Sequence, residues 1–209
     1  MDYPIKYPTD PRSGSFSERI SKSGKDSAIW DELQCQLDTK GLTIKKGMIQ
    51  DATFIHSDSG HASSDTPQGG EAKTRRSKDG TWTKKGGKSH FGYKLHAIMD
   101  QDYDLIRRIS TTTASVHDSQ VDLSEMGEVV YRDRGYQGAK CKGYNATMKR
   151  GARNHPIGIR DKLSNERITR KRSKGERPFV VLKTVFKSGT MKVTELGRAR
   201  VKNTFSAFL

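Results

Sequence analysis

The segment Met48-Ile49-Gln50-Asp51-Ala52-Thr53-Phe54-Ile55 constrains this chain most. Its apolar and β-favouring residues predict a strand, and Asp51 stands in the middle of it. A carboxylate at the heart of an apolar strand is costly to bury unless a cation, an ion-pair partner or a hydrogen-bond network compensates it. A structural salt bridge and a functional acid are the two readings open for Asp51 at this point.

Further strands follow at Phe91–Met99, Leu105–Ser110 and Glu128–Arg132, with Asp100–Asp104 as the turn between the first two. The last runs straight into Asp133. Between them Thr113-Ala-Ser-Val-His117-Asp118-Ser119 offers hydroxyls that would cap a short helix. Three strands, a helix and a strand predict an α/β fold with a mixed sheet covered by helices. Residues 1–27, rich in Pro, Ser and Gly, read as loop-like or disordered, and a helix is expected over Ala28–Asp38 with Asp26 or Ser27 as its cap. Residues 28–209 form the expected domain, with a long polar insertion at 57–89 after the first strand.

Charge decides the class of partner. Of the 209 residues 30% are charged and only 32% hydrophobic, and the formal net charge is +15. Residues 160–203 hold 14 Lys and Arg against 4 Asp and Glu, whereas residues 1–50 hold 8 against 7. Clustering of this kind suits phosphate neutralisation by nucleic acid, although a solvated basic face is the plainer reading. In the insertion, Arg75, Arg76, Lys84 and Lys85 are candidate backbone contacts. Trp82 among them is a candidate either for stacking or for anchoring the loop. No apolar run approaches the ~20 residues needed to cross a bilayer. The two cysteines, Cys35 and Cys141, have no metal-binding spacing and suit a reduced, cytoplasmic, nucleoid-associated protein.

Transferring a DNA phosphodiester at neutral pH needs an activated nucleophile and charge relief on the phosphate. Divalent ions held by carboxylates supply both. Asp51 within the first strand and Asp133 after the fourth would converge if those strands are neighbours. Glu176 is the only acid from Arg167 through Thr194. On a continuous helix Arg172 would lie about 40° and Lys183 about 20° from it around the axis, giving one acid flanked by two cations. An ordinary Arg–Glu surface pair is the alternative, and Pro178 predicts a kink or a new helix start nearby.

Asp51-Ala-Thr, Tyr93-Lys-Leu-His96, the 113–119 segment, Tyr131-Arg-Asp-Arg-Gly-Tyr136 and the Arg172, Glu176, Lys183 spacing together resemble insertion-sequence transposases of the DDE superfamily. The insertion sequence 5 group is the nearest in pattern, and the resemblance runs from about Trp30 to Ala207. It implies an RNase H-like fold and a catalytic, metal-binding trio of Asp51, Asp133 and Glu176 with two Mg²⁺ ions (Mn²⁺ as substitute). Arg172 and Lys183 then match a Tyr-x2-Arg-x3-Glu-x6-Lys signature, with Thr169 standing where the signature has Tyr. The implied partner is double-stranded DNA, at element ends and target, engaged by a homo-oligomer. His117 and Asp118 are auxiliary candidates, and His96 reads as packing. Family members are usually longer, so a truncated form is an accompanying expectation. The rival functions are an RNase H-like nuclease that only hydrolyses, a non-catalytic DNA-binding module and an inactive transposase fragment.

Overall fold

The structure, a computed structural model, describes residues 11–44, 47–60 and 77–208. Its strands are β1 (Met48–Ser57), β2 (Thr81–Lys85), β3 (Lys88–Asp100), β4 (Ile106–Thr113), β5 (Val129–Arg132), β6 (Tyr144–Thr147) and β7 (Thr190–Met191). Its helices are α1 (Pro11–Ser23), α2 (Lys25–Thr39), α3 (Ile159–Arg172), α4 (Glu176–Thr184) and α5 (Leu196–Ser206).

All the strands join one mixed sheet in the order β2-β3-β1-β5-β6, with β4 on β3 and β7 on β1. β1 pairs antiparallel with β3 from Met48↔Asp100 to His56↔Gly92. Its other edge pairs parallel with β5 near its start and with β7 at its end. β6 extends the parallel half beyond β5.

Directly paired residues share a face of the sheet, so the register sorts β1 into two surfaces. Ile49 and Ile55 join Tyr93, Leu95 and Met99 in the main core, closed by Trp30, Phe179, Leu182 and Ala199. α2, α4 and α5 therefore cover that face. Met48, Ile98 and Val130 lie on the other face, where Leu123 and Cys141 pack on them.

The first four expected strands form close to their expected limits, because their apolar runs have a sheet face to bury. Two expectations are corrected. Residues 11–27 are not a loop: they form α1 and the first turn of α2. Ile20 is buried, Arg198 pairs with Glu18 at 3.2 Å, and Arg200 pairs with Asp26 at 2.6 Å. Contacts with α5 thus outweigh a weak local helix propensity. The cap of α2 is Gly24 at φ 65°, so Asp26 and Ser27 lie inside the helix.

The insertion is also more ordered than its composition suggests. Thr81–Lys85 is a strand, joined to β3 through Gly86 and Gly87 at φ 58° and 78°. Two consecutive positive φ angles are what a tight two-residue hairpin needs, and only glycine adopts them freely. Arg75 and Arg76 lie outside the described residues. Among the described residues no helix is long and apolar enough to cross a membrane.

Candidate active site

The β1–β5 ladder aligns the acids. Met48 pairs with Val130 and Ile49 with Tyr131. One step on, Arg132 Nη2 donates to Gln50 Oε1 at 2.6 Å. The same offset sets Asp51 opposite Asp133, one residue beyond the end of β5. By alternation both leave the sheet on the face that carries Ile49 and Tyr131.

Each carboxylate is held locally. Asp51 accepts from the Ala52 N–H at 2.8 Å and from Arg172 Nη2 at 3.1 Å. Asp133 caps the 3-10 turn Arg134–Tyr136 and accepts from the Gly135 N–H at 2.9 Å. Burial pushes the Asp51 carboxyl above its ordinary range, Arg172 opposes this, and the charges of Asp133 and Asp118 push it further up. Burial thus outweighs the favourable Arg172 contact at Asp51.

Asp118 reaches this neighbourhood from a second 3-10 turn, Asp118–Gln120, and the cap there is His117, whose Nδ1 accepts from the Ser119 N–H at 3.3 Å. Asp118 is left to accept from Lys94 Nζ at 2.9 Å, and the same ammonium donates to the Val116 carbonyl at 2.6 Å. Lys94 is buried on β3 and lies 5.2 Å from the Phe54 ring centre. The two auxiliary candidates thus differ: His117 shapes the turn, and Asp118 pairs with Lys94 while its charge acts on Asp51.

Tyr136 is buried near enough to these acids for their charges to act on it. It is 1% exposed, and its hydroxyl has no hydrogen-bond partner among the described residues. Burial, then the charges of Asp118, Asp51 and Asp133, hold its phenol far above the usual range, so it stays a proton donor. Arg132, wholly buried, lies over its ring and ties Gln50 to Asp122 and the Lys140 carbonyl.

Glu176 and its neighbours depart from the expected continuous helix. α3 ends at Arg172, Ser173–Gly175 forms a 3-10 turn, and α4 starts at Glu176. Pro178 falls in the first turn of α4, where a missing N–H costs nothing. A 3-10 turn advances about 120° per residue rather than 100°, so three such residues rotate α4 by roughly 60° relative to α3. Arg172 accordingly lies on Asp51, whereas Lys183 feels Lys85 and acts on His56 at the other end of β1. Gly175 is pressed on the sheet: a Cβ there would stand 2.6 Å from Ile49 Cγ2. Glu176 comes directly after this contact as an exposed residue.

Of the remaining candidates, Trp82 is 52% exposed and tilts against Phe91 at 5.2 Å. Lys84 is exposed, and Lys85 Nζ lies 5.5 Å from the Phe54 ring centre. His96 is fully buried against Thr112 at 2.9 Å, as packing requires. Lys94, Arg132 and Tyr136 drew no role from the sequence, although each stands within a motif quoted for the resemblance.

A family model described as "Transposase DDE domain" matches residues 43–209. The chain belongs to the transposase DDE domain family. No solved structure matches it. The match begins just before β1 and includes all three acids, leaving α1 and α2 outside.

Family membership supports a transposase role in general and implies DNA as a partner. Transposase DDE domains generally depend on a divalent metal. Asp51 and Asp133 suit such an ion: they offer hard oxygen donors from adjacent strands, in a field that already disfavours ionisation of Asp51. The fit is partial. Among the described residues no three His, Cys, Asp or Glu side chains form a group able to hold a metal. In this transposase domain the two strand aspartates stand at matching levels of β1 and β5, and Glu176 forms no three-acid group with them among the described residues.

Proposed function

We propose that this chain is the RNase H-like catalytic domain of an insertion-sequence transposase that cleaves DNA at element ends and joins them to a target. The observation that supports it most is the β1–β5 register, Met48 on Val130 and Ile49 on Tyr131, which carried on by two residues brings Asp51 level with Asp133. The sheet order supports the fold assignment. β4, β3 and β1 run antiparallel, and β1, β5 and β6 run parallel.

Asp51 and Asp133 would hold the divalent ion, with Glu176 as the third ligand once DNA engages. A bound ion there lowers the pKa of the attacking hydroxyl and draws charge off the scissile phosphate. Arg172 fixes Oδ2 of Asp51 and offers its guanidinium to the same phosphate. Lys94 holds Asp118, whose charge acts on Asp51, and the buried Tyr136 hydroxyl stays protonated within reach of the charges of all three acids. In the first reaction a water oxygen bonds to phosphorus and the 3′-oxygen leaves as a hydroxyl, taking up a proton. In the second that hydroxyl attacks a target phosphodiester, and a target 3′-oxygen leaves in its place. The cations of residues 160–203 hold the backbone meanwhile, which makes binding strongly salt-dependent.

The test supplies a pre-cleaved element end with intact target DNA and Mg²⁺. Joined products that vanish in Asp51→Asn support a transposase. Hydrolysis without joining reduces the reading to a nuclease, and DNA binding with neither reaction reduces it to a binding module or an inactive fragment.

A further inference from the structure

A second charged cluster lies at the other end of β1. His56 pairs with Gly92, whose positive φ and missing side chain let the two strands approach closely, since a Cβ there would collide with the Ile55 carbonyl and the Ser57 N–H. His90, diagonal to it, brings its ring centre within 5.1 Å of His56 and stacks on Phe54 at 5.2 Å, 9° from parallel. Lys85 of β2 lies over the same Phe54 ring. Lys183 of α4 is close enough for its charge to act on His56, and Lys85 acts on Lys183 in turn. Lys202 of α5 donates to the carbonyl of Thr190, the β7 residue paired with His56.

Around His56, β2, β3, α4 and α5 thus each contribute a cation or an imidazole, and no acid of the described residues is ion-paired with them. Asp58, two residues along, accepts from the Gly60 N–H at 2.7 Å instead. Among the described residues no salt bridge involves Lys85, Lys183, Lys202, His56 or His90. Like charges gathered without a counter-charge oppose folding, and a cluster of that kind is relieved by an anion.

We propose that His56, His90, Lys85 and Lys183 form a second phosphate site for DNA, apart from the aspartate pair. It rests on the reading that DNA is the substrate. Five residues of strand, about 17 Å at ~3.3 Å per residue, separate His56 from Asp51, and an odd separation puts the two side chains on opposite faces of the sheet. The site therefore holds a phosphate away from the bond cleaved beside Asp51, with Phe54 and His90 as an aromatic floor.

The imidazoles give this site a signature that lysines alone would lack. Burial, then His90 and Lys183, hold His56 below its ordinary value. A phosphate reverses that push, so binding takes up a proton and tightens as pH falls.

The experiment measures binding of a labelled 30-base-pair duplex to the full chain by fluorescence anisotropy, in EDTA, at pH 7.5 and 5.5 across a KCl series. Wild type should bind on the order of tenfold more tightly at pH 5.5. His56→Gln/His90→Gln should lose that gain and lower the salt slope at pH 5.5 by about one. Lys85→Gln should lower the slope at both pH values by about one and keep the pH gain. The proposal is overturned if the double variant, with an unchanged melting temperature, keeps both the gain and the slope. Should it melt early, His56→Gln alone decides by the same readout. If wild type binds DNA with this pH signature but never cleaves, the catalytic reading falls and the phosphate site stands. If it cleaves but binds independently of pH, the reverse holds, and no binding at either pH overturns both.

Discussion

The two ends of β1 pose opposite electrostatic problems five residues apart. At Asp51 three aspartates share one neighbourhood, answered in part by Arg172 and Lys94. At His56 two imidazoles and two lysines gather, and no described acid pairs with them. The first end crowds acids and the second crowds bases. A divalent cation would relieve the first and a phosphate the second, whereas neither cluster helps the free protein fold. Residues retained against stability mark where function decides the sequence.

Breaking the acidic end should have the largest effect. Asp133→Asn or Asp51→Asn should slow Mg²⁺-dependent cleavage about a thousandfold, the scale of losing a ligand worth several kcal/mol. Asp51→Asn should not lower the melting temperature at pH 7. The raised carboxyl pKa means that the folded state binds its proton more tightly than the unfolded one, so stability is lost as pH rises through that range. Asparagine removes this cost. A variant that stays active, or one that melts far earlier, breaks the comparison at its acidic end.

The frame beneath the acids is next. Arg132→Met leaves Asp122 and Gln50 without their buried partner and should cost about 3–5 kcal/mol in urea unfolding. A cost under ~1 kcal/mol would mean that Arg132 does not hold β5 in register.

His96 sharpens the contrast between buried and functional histidines. Burial holds it down at about 4, so it stays neutral in the fold while the unfolded chain takes up a proton near 6.5. Its contribution is complete above pH 6.5 and lost as pH falls towards 4, on the order of a few kcal/mol. His96→Gln should flatten that part of the stability–pH curve more than His56→Gln does, since both imidazoles are held below their ordinary value and His96 is the more deeply buried. The smallest effect belongs to Gly175→Ala, where the added methyl meets Ile49 and should cost about 1–3 kcal/mol. Because Glu176 is carried on that contact, cleavage should fall more than stability does.

How much of each part was legible in the sequence depends on its physics. β1, β3, β4 and β5 announce themselves because buried strands need runs of apolar and β-branched residues. α1 was hidden, since its Ser- and Gly-rich sequence becomes helical through contacts with α5 that only the fold creates. β2 carried a signal in Gly86-Gly87, obscured by the lysines on both sides. The strand context of Asp51 and Asp133 could be read, but their alignment is a register, and register depends on pairing between distant segments. The geometry around Glu176 was beyond reach for a local reason. Three residues of 3-10 turn rotate Lys183 away from Arg172, and nothing in Ser173-Lys174-Gly175 marks them apart from an α-helix.

The alignment of Asp51 with Asp133 as a cation site is tested most directly by Mn²⁺ titration of the DNA-free protein by calorimetry, in wild type, Asp51→Asn and Asp133→Asn. Saturable binding in wild type that weakens at least about tenfold in each variant is the predicted result. Equal affinity and stoichiometry in all three proteins would contradict it.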